Sequence, residues 1–282
     1  MEVFNPRNIR ELAECLTNIN PGAVVAGGCT DVSVRFLAQP KPNQLLNVTL
    51  VEELREIYIR DGFLRIGAAA TLTDIEKFPL PEEFTAFKQA VSGVGSKQIR
   101  NAATIGGNVM NASPAADLLP CLFMFGARVE YMKPDGPICE SAIEEIVVGA
   151  EKTSLAYNEV LNAIKIPLPE IGLRTAFLKL GFRKKVTVAR INIAISVSES
   201  DGKIDGIRFF LGAVAPVPYR VPEVEKILLE NRWGPKTCEK LTQYLSDMLE
   251  RTVPLEFDRD YKKFAVKGAV YDILTMFPYW AN

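Results

Sequence analysis

Two glycine-rich segments carry the residues whose types and spacing point to chemistry. The first segment reads AGGCTDV at 26–32, and the second reads ATIGGNVMNASPAAD at 103–117. Paired glycines in a tight turn expose backbone N–H groups, and the missing Cβ atoms let that backbone approach an anion such as a phosphate. Threonine and asparagine beside each pair add polar groups for phosphate oxygens. Two such turns suit a diphosphate better than a single phosphate, because the oxygens of a diphosphate point in opposing directions.

Each segment also contains an acidic residue, which indicates partners other than phosphate. Asp31 and Asp117 would repel a phosphate, and a carboxylate accepts hydrogen bonds readily from sugar or polyol hydroxyls. The residues alone therefore indicate a dinucleotide with hydroxyl groups, and NAD, CoA and FAD all fit that description. A pair of purely structural turns is the alternative, because Gly-Gly commonly marks turns. The GxGxxG signature of Rossmann folds does not occur in the sequence, so it gives no support to that fold.

The composition excludes several classes of chemistry. The 282 residues include no histidine, which removes Ser–His and Cys–His nucleophiles and histidine-ligated metals. The five cysteines are widely spaced and form no CxxC pair, so we expect no metal site, no iron–sulfur cluster and no disulfide in this chain. A bound cofactor is the simplest remaining source of reactivity.

The charge pattern gives little support for nucleic acid or membrane partners. Lysine and arginine number 33 against 34 acidic residues, and the two signs are interspersed rather than gathered into a basic patch. No apolar run approaches the roughly 18–20 residues of a membrane span. The N-terminal sequence lacks the apolar stretch of a signal peptide, so we expect a protein of the reducing cytoplasm.

The order of the elements predicts an α+β protein with a boundary near residue 170. Short helices and strands alternate in the first part, beginning with an amphipathic helix over 7–18 and including a hairpin turn at Asp61-Gly62. Glycines 106 and 107 are expected in a turn. Alternating isoleucines in INIAISV (191–197) predict an antiparallel strand with one covered face. Longer strand patterns and then helices make up the second part: strands at 175–182, 189–200 and 202–215, and helices at 222–231, 236–251 and 258–276.

Four strings in this order resemble the FAD-binding (medium) subunit of the molybdenum hydroxylases, the xanthine dehydrogenase family: AGGCTDV, IGAAATLTDIE, GSKQIRNAATIGGNVMNASPAADLLP and GAVAPVPYRVPEVEKIL. The resemblance runs over nearly the whole chain. It implies an α+β fold with a FAD-binding domain of the vanillyl-alcohol-oxidase (PCMH) type over 1–170, in subdomains of about 1–56 and 57–170. A C-terminal antiparallel sheet-plus-helices domain of the CO dehydrogenase flavoprotein type would cover 171–282.

The resemblance also implies a set of cofactor-binding residues and no catalytic residue. Both glycine-rich segments would hold the FAD pyrophosphate. Asp117 matches an acidic position that reaches FAD hydroxyls, Leu161 an apolar residue lining the flavin, and Lys179 a lysine near the flavin ring. Gly67, Ala68 and Thr71 are expected as secondary contacts. The residues carried over are Val25, Ala26, Gly27, Gly28, Cys29, Thr30, Asp31, Val32, Thr104, Ile105, Gly106, Gly107, Asn108, Asp117, Leu161 and Lys179.

The function implied by the resemblance is electron transfer within a larger enzyme. FAD would be bound non-covalently, since no histidine is present for a histidyl–flavin link. Molybdopterin and 2Fe-2S clusters would sit only on partner subunits, a large and a small one, and electrons would leave FAD for NAD⁺ or another acceptor. The basic segment at 183–185 stands where the eukaryotic family members have an acidic run, which leaves the acceptor open. The alternatives are a free-standing flavin-dependent NAD(P)H oxidoreductase of the same fold and a non-catalytic assembly subunit.

Overall fold

A computed structural model of the chain describes residues 1–38, 40–183, 186–253 and 256–280. Lys184 and Lys185 of the basic segment therefore lie outside the described residues. The chain forms two compact units, and two segments of the N-terminal part belong to the second of them. Unit 1 comprises Met1–Phe78, Ser96–Ser113 and Gly126–Leu168, and unit 2 comprises Pro79–Gly95, Pro114–Phe125 and Pro169–Asn282. The domains 1–170 and 171–282 stay a prediction.

The helices are short in the first part of the chain and long at its end. They are α1 (Ile9–Asn18), α2 (Val32–Ala38), α3 (Leu72–Lys77), α4 (Thr85–Gly93), α5 (Lys97–Ala102), α6 (Ile105–Asn111), α7 (Leu118–Met124), α8 (Ile143–Ile146), α9 (Pro222–Glu230), α10 (Pro235–Thr252) and α11 (Glu256–Thr275). Single turns of 3-10 helix occupy Glu52–Arg55 and Glu82–Phe84. No helix in these described ranges has the length and hydropathy that would let it cross a membrane.

The strands form separate sheets in the two units. They are β1 (Glu2–Phe4), β2 (Val24–Ala26), β3 (Gln44–Asn47), β4 (Ile57–Arg60), β5 (Phe63–Gly67), β6 (Arg128–Met132), β7 (Ile138–Ala142), β8 (Val147–Gly149), β9 (Lys152–Thr153), β10 (Val160–Pro167), β11 (Arg174–Leu180), β12 (Ile191–Ser200), β13 (Lys203–Gly212) and β14 (Tyr219–Arg220).

Unit 1 contains a parallel sheet in the order β1-β3-β2 and an antiparallel sheet in the order β4-β5-β10-β6-β7. Helix α1 supplies Leu12 and Leu16, both fully buried, to a core shared with Leu46 of β3. The predicted hairpin between β4 and β5 is confirmed, with Asp61 and Gly62 both at positive φ, as a tight two-residue turn between twisted strands requires. The ends of β2 and β5 place the glycine-rich segments.

Unit 2 contains the antiparallel sheet β11-β12-β13-β14, whose last strand has only two residues. The isoleucines of β12 pack into a core with α9, α10 and α11, as the alternation predicted. The prediction of one covered face is wrong, because Asn192, Ala194 and Ser196 on the opposite side are also buried. Helix α7 packs against β12 and β13 and so covers part of that second face. The α+β prediction is confirmed.

Glu225 ties the edge of the sheet in unit 2 to helix α9. Its buried carboxylate accepts two hydrogen bonds from the Arg220 guanidinium at 2.9 and 3.0 Å, and one from the Phe209 backbone N–H at 2.9 Å. The Phe209 N–H is in the core, so it has no access to water as a substitute acceptor.

We therefore expect Glu225→Ala to lower the free energy of unfolding by about 2–3 kcal/mol, because a buried N–H loses its acceptor. Glu230→Ala on the same helix removes only an exposed pair 3.8 Å from Lys226 and should change the free energy by less than about 0.5 kcal/mol. Urea denaturation measures both. Equal losses for the two variants would contradict this assignment.

Candidate functional site

The first glycine-rich segment connects β2 to α2 through a left-handed bend. Gly28 has φ 87° and Cys29 has φ 57°. A Cβ atom on Gly28 would overlap the carbonyl oxygen of Ala102, so the position requires glycine for both its conformation and its space. Cys29 adopts the left-handed region without being glycine, at a cost of about 1 kcal/mol. The bend brings the segment against the residues just before α6.

The second segment starts helix α6 and is not the predicted turn. Thr104 is the N-cap, and its hydroxyl accepts a hydrogen bond from the Gly107 N–H at 3.0 Å. Gly106 lies where a Cβ atom would be 2.7 Å from the Ala68 carbonyl oxygen. The N-cap at Thr104 stabilises the start of the helix despite the two glycines. The backbone at Ala68 lies so close that only glycine fits at position 106.

Thr104 joins the two segments directly. Its hydroxyl donates to the Gly27 carbonyl oxygen at 3.1 Å while accepting from Gly107. A Cβ atom on Gly27 would be 2.7 Å from the Thr104 oxygen, and one on Gly107 would be 3.2 Å from the Gly27 carbonyl oxygen. These glycines are therefore required in the first place by the approach of the two segments to each other.

The two segments differ in the backbone groups that they leave for a ligand. In the second segment, the N–H groups of Ile105, Gly106, Gly107 and Asn108 all have protein acceptors. In the first segment, the N–H groups of residues 27–32 donate to no acceptor within the described part of the chain. Around the paired glycines, free N–H groups for an anion thus lie in the first segment, whereas those of 105–108 are already bonded within the protein.

Asn108 contributes a further unpaired polar atom. Its side-chain oxygen is buried and has no hydrogen-bond donor among the described residues. Buried acceptors normally find a donor, and an exception commonly marks a place for a water, ion or ligand.

A cavity of about 270 Å³ in unit 1 opens beside these glycines. That volume lies at the small end of ligand sites, so it would hold part of a dinucleotide. The predicted site residues that line it are Val25, Gly27, Thr104, Gly106, Gly107 and Leu161, together with Ala68, an expected secondary contact. Other predicted residues do not line it: Ala26 and Ile105 point into the core, and Gly28, Cys29, Thr30, Asp31, Val32 and Asn108 lie elsewhere along the two segments.

Sequence reasoning missed one wall of the cavity. Leu155, Ala156, Tyr157, Glu159 and Val160 precede Leu161 and line the same space. They carry no glycine pattern or motif. The signal that would have found them is the pairing of β10 next to β5, which brings the start of β10 close to the Ala68 end of β5.

Asp31, predicted to accept from a ligand hydroxyl, has a protein partner. Its carboxylate lies 2.6 Å from the Arg35 guanidinium one turn along α2. Arg35 also donates to the Asn111 side-chain oxygen and lies 3.7 Å from Glu151. These contacts hold α2 against the end of α6, and they give Asp31 a structural role whatever it does toward a ligand.

Asp117 and Lys179 form a buried ion pair in unit 2. The Lys179 ammonium donates to the Asp117 carboxylate at 2.5 Å and to the Gly93 carbonyl oxygen at 3.1 Å. Asp117 is only 5% exposed. Burial raises the pKa of Asp117, and the Lys179 charge and hydrogen bond act in the opposite direction. The paired glycines of both segments and Leu161 thus belong to unit 1, and this ion pair belongs to unit 2.

Comparison with known proteins identifies relatives of the whole chain. A family model described as "FAD binding domain in molybdopterin dehydrogenase" matches residues 1–169. A second, described as "CO dehydrogenase flavoprotein C-terminal domain", matches residues 176–276.

Two curated relatives are similar in length to this chain. The xanthine dehydrogenase FAD-binding subunit of Escherichia coli O157:H7 is 28% identical over 87% of this chain and 84% of its own length. The nicotinate dehydrogenase FAD-subunit of Eubacterium barkeri is 27% identical over 95% of this chain and 92% of its own. The xanthine dehydrogenase/oxidase of Gallus gallus is 25% identical over 88% of this chain but only 19% of its own, much longer chain.

Solved structures confirm the predicted fold. A chain of the carbon monoxide dehydrogenase from Hydrogenophaga pseudoflava superimposes with a TM-score of 0.85 at 23% identity, covering 98% of this chain and 96% of that one. A chain of quinoline 2-oxidoreductase from Pseudomonas putida 86 gives 0.86 at 20% identity, with 98% and 96% covered. At such identities the similarity establishes the fold alone.

The Thr104 hydroxyl leads to one prediction about stability. Thr104→Val keeps the shape of the side chain but loses both hydrogen bonds, and we expect it to lower the free energy of unfolding by about 2 kcal/mol. Thr104→Ser keeps the hydroxyl and should lose less than about 1 kcal/mol. Thr17→Val is the control, because that hydroxyl donates to the Glu14 carbonyl oxygen at an exposed helix end. Urea midpoints that fail to separate Thr104→Val from Thr17→Val would refute the bridging role.

The Asp117–Lys179 pair leads to a second prediction, about pH. Lys179→Met leaves a buried carboxylate without its cation and should cost about 3–5 kcal/mol of unfolding free energy near neutral pH. Without Lys179 the pKa of Asp117 rises further, so the folded protein binds that proton more tightly than the unfolded chain. Stability is then highest below the unfolded pKa and is lost as pH rises through the folded pKa. The deficit should therefore shrink when unfolding is measured at pH 5 instead of pH 8.

Two variants control this experiment. Asp117→Asn combined with Lys179→Met removes the titrating group, so its stability should differ from that of the wild type by a nearly pH-independent amount. Lys88→Met alters an exposed lysine of α4 that donates to the Leu80 carbonyl oxygen and should have little effect at either pH. A Lys179→Met deficit that stays constant from pH 5 to pH 8 would contradict the uncompensated-charge explanation.

Proposed function

We propose that this chain, which belongs to the family of FAD-binding domains of molybdopterin dehydrogenases, is the electron-transferring flavoprotein subunit of a molybdenum hydroxylase. The proposal rests above all on one observation, the joining of two glycine-rich segments by the Thr104 hydroxyl beside a cavity within the matched residues. The predicted resemblance to the xanthine dehydrogenase family, and with it a FAD-binding domain, is confirmed by the family and by the relatives named above.

The unpaired polar groups of unit 1 fit FAD in chemical type. The N–H groups of residues 27–32 have no protein acceptor among the described residues, and the phosphate oxygens of a dinucleotide would supply acceptors. The buried oxygen of Asn108 needs a donor, and a hydroxyl group supplies one. Apolar walls from Val25, Met110 and Leu161 suit a ring system. The residues present thus fit the phosphates, the hydroxyl groups and the ring system of FAD.

We assign the binding roles as follows. The N–H groups of 27–32 hold the pyrophosphate, and Gly106 and Gly107 provide a surface without side chains next to it. Leu161 packs against the flavin, Asp117 accepts from FAD hydroxyls, and Lys179 contributes a positive charge near the flavin ring. The full proposed set of ligands remains Val25, Ala26, Gly27, Gly28, Cys29, Thr30, Asp31, Val32, Thr104, Ile105, Gly106, Gly107, Asn108, Asp117, Leu161 and Lys179.

The protein's own part in the reaction is binding and orientation. When bound, FAD accepts electrons singly and releases them in pairs, which matches an iron–sulfur donor to a two-electron acceptor. The chain binds the pyrophosphate through backbone N–H groups, excludes water with its apolar walls and keeps a fixed positive charge at Lys179. No side chain needs to act as a general acid or base, and no metal ligand is assigned.

The partners follow from the family and from the architecture of the relatives. We place molybdopterin on a large partner subunit and 2Fe-2S clusters on a small one. The two family matches already occupy residues 1–169 and 176–276 of this chain. The relative from Gallus gallus is about five times longer than the part it shares with this chain, which fits a unit that works beside other domains. NAD⁺ or another acceptor takes the electrons, and the five free cysteines favour the cytoplasm.

Titration of the flavin-free chain with FAD tests the cofactor. We expect a yellow, non-covalent complex that releases FAD on denaturation, and binding of FMN at least about tenfold weaker because FMN has only one phosphate. A correctly folded chain that takes up neither FAD nor FMN would refute the proposal and favour the non-catalytic assembly subunit.

Purification of the native complex tests the subunit role. The chain should copurify with molybdenum and iron in two further polypeptides, and the isolated chain should oxidise NAD(P)H with soluble acceptors only slowly. Full turnover of NAD(P)H by the isolated chain, without partner polypeptides in the native preparation, would favour the free-standing oxidoreductase instead.

A further inference from the structure

We infer that Asn192 is a positioning residue for the Asp117–Lys179 pair, and that Gly212 provides the space in which its amide lies. The inference deepens the proposed function, because it rests on Asp117 as a FAD ligand. It concerns residues of unit 2 only, and each step follows from contacts within that unit.

The Asn192 amide engages the side of Asp117 that Lys179 leaves open. Its Nδ2 atom lies 3.4 Å from one Asp117 carboxylate oxygen and 3.3 Å from the Ala116 carbonyl oxygen. Lys179 takes the other carboxylate oxygen at 2.5 Å. Lys179 stands on β11 and Asn192 on β12, so two neighbouring strands hold the carboxylate at the start of α7. The carboxylate is thereby fixed in direction as well as in place.

Gly212 makes room for that amide. It is the cross-strand neighbour of Asn192 on β13. A Cβ atom on Gly212 would overlap the Asn192 side-chain oxygen and would lie 2.7 Å from the ring of Pro120 on α7. The amide thus occupies the volume that any side chain at position 212 would take. The requirement for glycine is one of space, because Gly212 does not have a positive φ.

The next residue after Gly212 holds the chain leading to Asp117. Ala213 has φ 62°, and its N–H donates to the Pro114 carbonyl oxygen at 2.9 Å. The ammonium of Lys262, a buried residue, donates to the Ala213 carbonyl oxygen at 2.6 Å. The end of β13 therefore contacts the Asp117 segment at Pro114 as well as through Asn192.

Asn192 would lower the stability of the fold if its only role were to fill the core. The residue is fully buried, and its side-chain oxygen has no donor among the described residues. An unpaired buried oxygen destabilises a protein, whereas an apolar residue of similar size would not. Rotating the amide would turn that oxygen toward the Asp117 carboxylate, so the charge on Asp117 fixes which end faces it. The arrangement makes sense as support for the carboxylate.

Two other titratable groups interact with Asp117. Lys179 faces it from β11, and the Cys121 thiol lies one turn along α7. Burial raises the pKa of Asp117, while Lys179 and the Asn192 hydrogen bond lower it. Loss of the Asn192 donor should therefore move the pKa of Asp117 upward.

The test compares two variants of the support with a matched control in the full-length chain. Asn192→Ala removes the donor, and Gly212→Ala displaces the amide while leaving it in the sequence. Thr175→Val is the control, because the Thr175 hydroxyl is also buried and bonded twice, to the Ala86 N–H and the Glu83 carbonyl, but does not touch Asp117. Each protein is titrated with FAD between pH 5 and pH 8, and its unfolding midpoint is measured.

We expect both support variants to raise the Kd for FAD about tenfold, as loss of a hydrogen bond to a charged group predicts. The pH below which FAD binding weakens should also move upward in both. Thr175→Val should lower the unfolding midpoint but leave the Kd within about twofold, with its pH profile unchanged. If only one support variant folds, that variant and the control still decide the question.

Two results would overturn the inference. Support variants that lose stability but keep the wild-type Kd and pH profile would show that Asn192 only fills the core. A control that shifts the Kd as much as the support variants would show that any loss of stability in unit 2 weakens FAD binding. A wild-type chain that binds no FAD would instead refute the proposed function, so the two failures are distinguishable.

Discussion

The hydroxyl group of Thr104 is the interaction on which the arrangement of unit 1 depends. It caps α6 through the Gly107 N–H and, with its proton, reaches across to the Gly27 carbonyl oxygen. This one small side chain thereby caps α6 and fixes the distance between the two glycine-rich segments. Cβ atoms on Gly27 or Gly107 would crowd this contact, which explains the paired glycines before any ligand is considered. The packing leaves open the N–H groups of 27–32 and the wall of the cavity, which we propose as the contacts of the FAD.

Unit 2 is organised around a different constraint, a buried charge. Taking Asp117 out of water costs free energy that the Lys179 ammonium offsets only in part, as the raised pKa of Asp117 indicates. Asn192 adds a donor but leaves its own oxygen unpaired. A core selected for stability alone would be apolar here, since well-packed apolar residues replace buried ion pairs with little loss. This free-energy cost fits our proposal that the carboxylate is held in place to accept hydrogen bonds from FAD hydroxyls.

Local patterns in the sequence predicted those elements whose formation depends on near neighbours. The turn at Asp61-Gly62 follows from short-range chemistry, and it is present. The prediction of a turn at Gly106-Gly107 is wrong, because the cap at Thr104 and the contact with Ala68 outweigh the preference of glycine for turns. Burial of both faces of β12 depends on α7, which is far away in sequence.

The same reasoning explains what could be predicted of the candidate site. The resemblance predicts that Leu161 lines the flavin, and in the structure Leu161 lies in the wall of the cavity. Residues 155–160 were missed because only the pairing of β10 with β5 brings them there. Resemblance also singled out Asp117 and Lys179 separately. Their direct contact depends on the packing of α7 beside the sheet, which no spacing in the sequence reveals.

Amide hydrogen exchange with and without FAD tests the central claim most directly. The account predicts that FAD slows exchange at residues 27–32, whose N–H groups lack protein acceptors, and changes little at 105–108, whose N–H groups are already bonded. Strand pair β4–β5 serves as an internal reference. Tight binding of FAD that leaves the exchange of 27–32 unaltered would contradict the claim that this backbone holds the cofactor.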